Sequence, residues 1–238
     1  MSKLGNRESD YEDSFSYDLE RMKFAIADGA SNSIFSDVWS RALTESFVSE
    51  DLDLFSQSVQ DVIRNIMEKA RRIWYSSIDW NDLPWFTKNK SVNGSYSTLL
   101  LCQLRENDSD HLQMRSIAVG DSCLFKIRGE DITFSFPLTY ISQFNISPDL
   151  VWSGRGHPFP EKSPSKVPVT RVMDGIVDSS DKLVFATDSI SVLLLSDPDP
   201  MGLVTEIIEK RFTEKLIKAI DAGRIKNDDV TLALVGFK

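Results

Sequence analysis

The chain predicts an α+β fold in which antiparallel sheets pack on each other with helices outside. Three observations carry this expectation. Strand-length apolar segments are separated by short polar or Gly-containing turns; helical periodicity is confined to a consecutive pair and one late stretch; and the regular strand-helix alternation of a doubly wound parallel sheet is missing. The 238 residues, 41% apolar with 14 Phe and 5 Trp, suffice for a substantial core in a single domain spanning 1–238. No repeat, low-complexity tract or Gly/Ser linker divides them.

After a polar start, SFSYDL and KFAIAD have strand length and apolar character, and the polar turn from Glu20 to Lys23 makes them a hairpin. Apolar residues recur at helical spacing from Phe35 to Val48 and again from about Leu54 to Trp74, giving two consecutive amphipathic helices. WNDLPWFTKNKSVN reads as a loop whose bulky residues plug the core, with a ligand shelf as the weaker alternative. SYSTLLLCQL, MRSIAVG, SCLFKIR and DITFSF read as an antiparallel meander. Residues 137–180, rich in Pro, Gly and Ser, read as an irregular excursion within the domain. KLVFATDS is a strand, a helix is expected from about Met201 to Ala222 with Gly223 as its cap, and VTLALVGF closes the chain as a strand.

The net charge of -9, from 36 acids and 27 bases, argues against nucleic acid as a partner. An anionic substrate would need local positive charge, which metal ions can supply. No apolar signal core opens the chain and no apolar run has bilayer-spanning length, so no membrane role and a cytoplasmic location are expected. Cys102 and Cys123 lie in apolar strands and read as buried thiols rather than a disulfide. His111 and His157 read as surface or loop residues, which disfavours a zinc site.

The chemistry lies where apolar runs stop on an acid. FAIADG ends at Asp28, IAVGDS at Asp121 and LVFATDS at Asp188, while NDDVTLALV opens on Asp228; Glu12-Asp13 sits at the entry to the first strand. An ionised carboxylate at a rigid strand end must face water, a cation or a partner, because burying it unpaired costs several kcal/mol. Repeated from distant parts of the chain, the pattern suits hard divalent cations such as Mg²⁺ or Mn²⁺. Gly29 beside Asp28 would let backbone approach an ion closely. Each such Asp has a plain alternative as a turn or capping residue, and the residue pattern leaves both readings open.

In order and approximate spacing, these elements resemble the metal-dependent protein phosphatases of the PPM, or type 2C, class over nearly the whole chain. Glu12-Asp13 resembles the family's early acidic pair, Ala27-Asp28-Gly29 its ADG element, and Gly94 to Thr98 its Gly-Ser-Thr strand with an insertion. Val119 to Ser122 resembles its VGDS, Thr187-Asp188-Ser189 its SDG, and Asp228-Asp229-Val230-Thr231 its terminal DNxT strand. The resemblance implies a four-layer sandwich of two antiparallel sheets flanked by helix pairs. It also implies hydrolysis of phosphoserine or phosphothreonine in proteins by a water bridging two Mg²⁺ or Mn²⁺ ions, without a covalent intermediate.

Carried over by position, Asp28 would bridge the ions, Gly29 would give its carbonyl, Asp188 and Asp228 would bind one ion, and Glu12 would reach the other through water. Asp13 would orient the attacking water. Asp121 would correspond to a third ion's ligand, weakened because Val192 stands where the family often has an acid. Ser189 and the stretch Ala30-Ser31-Asn32-Ser33 replace family glycines at the pocket mouth.

Arg7, five residues before Glu12 where the family's phosphate-binding Arg lies four before, is either a substrate contact or a solvated residue. Arg155, in the Gly154-Arg155-Gly156 turn of the excursion, is a second candidate phosphate or peptide contact, with a solvated residue as the favoured reading. A small stand-alone bacterial-like member opposing a protein kinase is the implied type. The alternatives are a phosphatase-fold binding module without turnover and a phosphatase of a phosphorylated metabolite.

Overall fold

The computed structural model describes residues 1–5, 7, 10–107, 111–145, 147–156, 167–209 and 213–237. The chain opens with strands β1 (Ser14–Asp18) and β2 (Lys23–Ala27), followed by helices α1 (Ser36–Ser49), α2 (Val59–Ser76) and α3 (Trp85–Ser91). Strands β3 (Tyr96–Ser97), β4 (Leu99–Glu106), β5 (Leu112–Val119), β6 (Cys123–Arg128), β7 (Asp131–Phe136), β8 (Val151–Trp152), β9 (Arg171–Val177) and β10 (Asp181–Ala186) follow. Helices α4 (Asp188–Ser196), α5 (Pro200–Ile208) and α6 (Thr213–Asp221) then precede the closing strand β11 (Leu232–Gly236).

One antiparallel sheet runs β1-β2-β4-β5-β9, a second runs β11-β10-β6-β7, and β3 pairs with β8 apart from both. Side chains alternate across each strand, and in the central strands the core that each residue joins follows that alternation. Ala25, Ala27, Leu99, Leu101, Ile117 and Val119 face α1 and α2, where they meet Trp39, Phe47, Ile63 and Trp74. The neighbouring residues Phe24, Ile26, Leu100, Cys102 and Ala118 face the other sheet and meet Leu124, Leu183 and Phe185. On that sheet's far side, Cys123, Phe125, Val184 and Ala186 pack on Ile190, Leu194, Leu203 and Leu216 of α4, α5 and α6. The result is helix, sheet, sheet, helix, as the sequence implied. Strands buried on both faces explain why the central runs are almost continuously apolar.

Several local expectations change. The four-strand meander is split: β4 and β5 belong to one sheet, β6 and β7 to the other, and the chain crosses between them at Gly120-Asp121. Gly120 has φ +96, and a Cβ there would lie 2.7 Å from Thr98 Cγ2, so this crossing needs glycine. The 137–180 stretch carries β8 and the edge strand β9; His157 lies outside the described residues. The expected 201–222 helix is two helices, α5 and α6. The loop after Trp80 contains α3, with Pro84 at its start. Trp80 does plug the core, its ring centroid 5.4 Å from that of Trp74, whereas Trp85 and Phe86 remain exposed. Cys102 and Cys123 are buried free thiols, and His111 is a half-exposed partner of Asp178. Among the described residues no helix is long and apolar enough to cross a membrane.

Trp74 has no exposed surface and lies between Trp39 and Trp80, with centroids 6.2 and 5.4 Å away. Trp74→Ala is expected to lower the unfolding free energy in urea by about 3–5 kcal/mol; a loss under about 1 kcal/mol would contradict this packing.

Candidate metal centre and active site

The strand registers bring the singled-out acids to one edge of the sandwich. β1 begins opposite the end of β2 (Ser14 with Ala27), which places Glu12-Asp13 beside Asp28. β10 ends opposite the starts of β6 and β11 (Ala186 with Cys123 and with Leu232), so Asp188 leaves its strand between Asp121 and Asp228. Both sheets therefore deliver their acids to a shared end.

Short polar bonds fix each segment. The Asp28 backbone donates to Thr98 Oγ1 at 2.9 Å, while its carbonyl accepts from Thr98 N at 2.9 Å and Ser97 Oγ at 2.8 Å. Gly29 has no room for a side chain: a Cβ would lie 2.7 Å from Glu12 O and 2.8 Å from Ser36 O. This close approach ties the Asp28 loop to Glu12 and to the first turn of α1. Ser36 Oγ donates to Glu12 Oε1, and Ser40 Oγ donates to Glu12 O at 2.6 Å. Thr98 Oγ1 and Ser122 Oγ, 2.7 Å apart, link the Asp28 segment to the Asp121 turn.

Asp13 is buried, and its Oδ2 accepts from Thr231 Oγ1 at 2.7 Å and Thr187 Oγ1 at 3.2 Å. Its Oδ1 is buried without a hydrogen-bond partner among the described residues. Asp229 is structural: its carboxylate accepts from Glu12 N at 2.6 Å and Lys3 N at 2.7 Å. Asp228 Oδ1 lies 3.1 Å from Lys3 Nζ.

The architecture is shared with known structures. The serine/threonine phosphatase Stp1 of Staphylococcus aureus superposes with a TM-score of 0.58 at 16% identity, over 100% of this chain and 93% of its own. The photosystem II phosphatase PBCP gives 0.54 at 17% identity over 95% and 92%. The catalytic domain of the serine/threonine protein phosphatase PstP, in complex with two manganese ions, gives 0.53 at 15% identity over 98% and 94%. The fold is that of the PPM-type serine/threonine phosphatases. No sequence-family model matches the chain, and no curated protein matches it by sequence.

Within this phosphatase fold the crowding of acids dominates the electrostatics. Burial, then the charges of Asp13, Asp188, Asp228 and Asp121, push Asp28 well above the ordinary carboxylate range. Burial and the charges of Asp229 and Asp188 raise Asp13 to about 7, against the opposing pull of the Thr231 and Thr187 hydroxyls. Asp121 rises to about 6 through burial and Asp188, opposed by Lys226. Asp188 is raised by burial and Asp228, with Ser189 N and Lys226 opposing. Lys3 is drawn down by burial, but its bond to Asp228 and the charges of Asp228, Glu12 and Asp229 leave it raised overall.

Among the described residues no three acidic, histidine or cysteine side chains form a ready ion-binding group. The donor set nevertheless fits a divalent ion. It is all oxygen and its members repel one another, and beside it the buried Asp13 Oδ1 has no hydrogen-bond partner among the described residues. Arg7 stands apart: it is exposed, and its backbone closes a turn with Asp10 (Arg7 N to Asp10 Oδ2, 3.1 Å). Arg155 is exposed as well.

Lys3, Asp229, Thr187, Thr231 and Ser36 escaped the sequence reading as members of this site. Thr187 and Thr231 stand next to or near strand-end acids, and that adjacency was the available signal for two hydroxyls sharing one carboxylate. Lys3 carried no signal.

A carboxyl raised in the folded state holds its proton there at pH values where the unfolded chain has lost it. Between about pH 4 and pH 7 the folded protein binds more protons, so stability falls as pH rises through this window. The melting temperature of EDTA-treated protein is expected to drop from about pH 5 to about pH 7.5, with Asp13→Asn reducing the drop. Equal slopes for wild type and variant would contradict the buried, crowded state of Asp13.

Proposed function

We propose that this protein is a metal-dependent phosphatase acting on phosphoserine and phosphothreonine in proteins, opposite a protein kinase in the cytoplasm. The observation that carries the proposal is the convergence of Asp13, Asp28, Asp121, Asp188 and Asp228 on one edge, where the charges of the other four all raise Asp28. Asp28, the Gly29 carbonyl, Asp188 and Asp228 would hold two Mg²⁺ or Mn²⁺ ions, with Glu12 reaching one through water. Bound divalent ions supply the charge that holds a phosphoryl group and makes water acidic enough to attack near neutral pH.

The chain's own residues do the rest. Thr187 and Thr231 lock Asp13 through Oδ2 and leave Oδ1 available to orient a water and take its proton. Ser36 and Ser40 hold Glu12, and Gly29 lets its backbone come close to both segments. Asp121 would serve a third, weaker ion; with Val192 in place of an acid, its remaining charge is met partly by Lys226. The two manganese ions in the PstP catalytic domain support the two-ion reading by likeness of fold. Arg7 is proposed as a substrate contact only if its segment folds inward on binding.

Mn²⁺-dependent hydrolysis of p-nitrophenyl phosphate and of a phosphoserine/phosphothreonine peptide panel is expected. It should fall by at least about a hundredfold in Asp28→Asn and Asp188→Asn. Saturating Mn²⁺ at about a hundred times its Kd should stabilise the fold by about 2.7 kcal/mol, read as a raised melting temperature. A folded, ion-loaded wild type inert on both substrates would favour a binding module. Preference for phosphorylated metabolites would end the protein-substrate claim.

A further inference from the structure

We infer that Lys3 is a built-in counter-ion of the acidic centre, competing with a divalent cation for Asp228 and leaving that carboxylate when the ion binds; this rests on the metal-dependent reading above. Residues 1–4 lie along 227–230 as a strap held by backbone and amide bonds. Val230 N donates to Met1 O at 2.9 Å, Lys3 N to Asp229 Oδ1 at 2.7 Å, and Leu4 N to Asn227 Oδ1 at 2.9 Å; Asn227 Nδ2 donates back to Leu4 O at 3.1 Å. The strap therefore aims the Lys3 side chain rather than letting it wander. Its ammonium lies 3.1 Å from Asp228 Oδ1 and 3.4 Å from Ser31 Oγ, bridging the last acid of the centre to the loop after Gly29.

Among the described residues, Lys3 is the one Lys or Arg in an ion pair with the acids of the centre. A carboxylate oxygen engaged by an ammonium is not available to a metal ion. A divalent cation brings twice the charge and accepts several oxygens at once, so it displaces the ammonium where concentrations allow. The side chains of Lys3 and Asp228 are 28% and 31% exposed, so the ammonium has an open path to solvent while the strap stays in place. Such a pair keeps the ion-free centre folded and sets the metal concentration at which it loads.

The test is Mn²⁺ calorimetry on the EDTA-stripped 238-residue chain, comparing wild type with Lys3→Met, which keeps the aliphatic stem, and Lys3→Arg, which keeps the charge. Lys3→Met should bind Mn²⁺ about three- to fivefold more tightly, the size expected of one partly exposed ion pair, and should melt lower when ion-free. Lys3→Arg should behave as wild type. Acylation of the Lys3 amine, followed by mass spectrometry in wild type alone, should quicken when Mn²⁺ is added, a readout independent of whether any variant folds. Unchanged or weaker Mn²⁺ binding in Lys3→Met, or acylation indifferent to Mn²⁺, would overturn the inference alone. A wild type that takes up no Mn²⁺ would overturn both it and the metal-dependent reading.

Discussion

Repulsion between carboxylates that the fold will not let separate is the constraint on which the rest of this structure depends. Two unit charges about 4 Å apart repel by about 4 kcal/mol at an effective dielectric near 20, whereas a partly exposed ion pair returns about 0–1 kcal/mol. Against a total stability of about 5–15 kcal/mol, several such repulsions are affordable only if the acids stay partly protonated or a multivalent cation joins them. The raised Asp13, Asp28, Asp121 and Asp188 are the first solution. Divalent ions would be the second, and in the proposed reading they would turn the same crowding into a chemical resource.

The scaffolding around the acids follows from that constraint. Apolar layers on both faces of each sheet make the strands rigid, so their ends cannot relax away from one another. Close backbone approach at Gly29 and the left-handed turn at Gly120 carry the chain through places where a side chain would collide. Hydroxyls do the finer positioning: Thr98 with Ser122 across the two sheets, Thr187 with Thr231 on Asp13, Ser36 and Ser40 on Glu12. Neutral donors suit this task because they orient a carboxylate without cancelling the charge that a cation needs.

The layered fold was legible because strands buried on both faces leave long apolar runs and the first two helices leave clear periodicity. The strand-end acids were legible for a related reason, since Asp28, Asp121 and Asp188 interrupt runs that are otherwise apolar. What stayed hidden had ambiguous local chemistry. The run Ile190 to Leu195 is apolar enough to pass as the tail of a strand, yet forms α4. The Trp- and Pro-rich loop concealed α3 because its aromatics disguise a short helix, two of them facing solvent. The crossing at Gly120-Asp121 looked like one more hairpin turn, because strand patterns do not say which sheet a strand joins. Lys3 was invisible for a different reason: its role comes from a strap paired with residues more than two hundred positions away.

Anomalous diffraction at the manganese edge, from crystals grown with Mn²⁺, addresses the central claim most directly. Two peaks about 3.5–4 Å apart, flanked by Asp28, Asp188 and Asp228, are the predicted result. Density with no manganese among these side chains, or with the carboxylates turned away from one another, would contradict it.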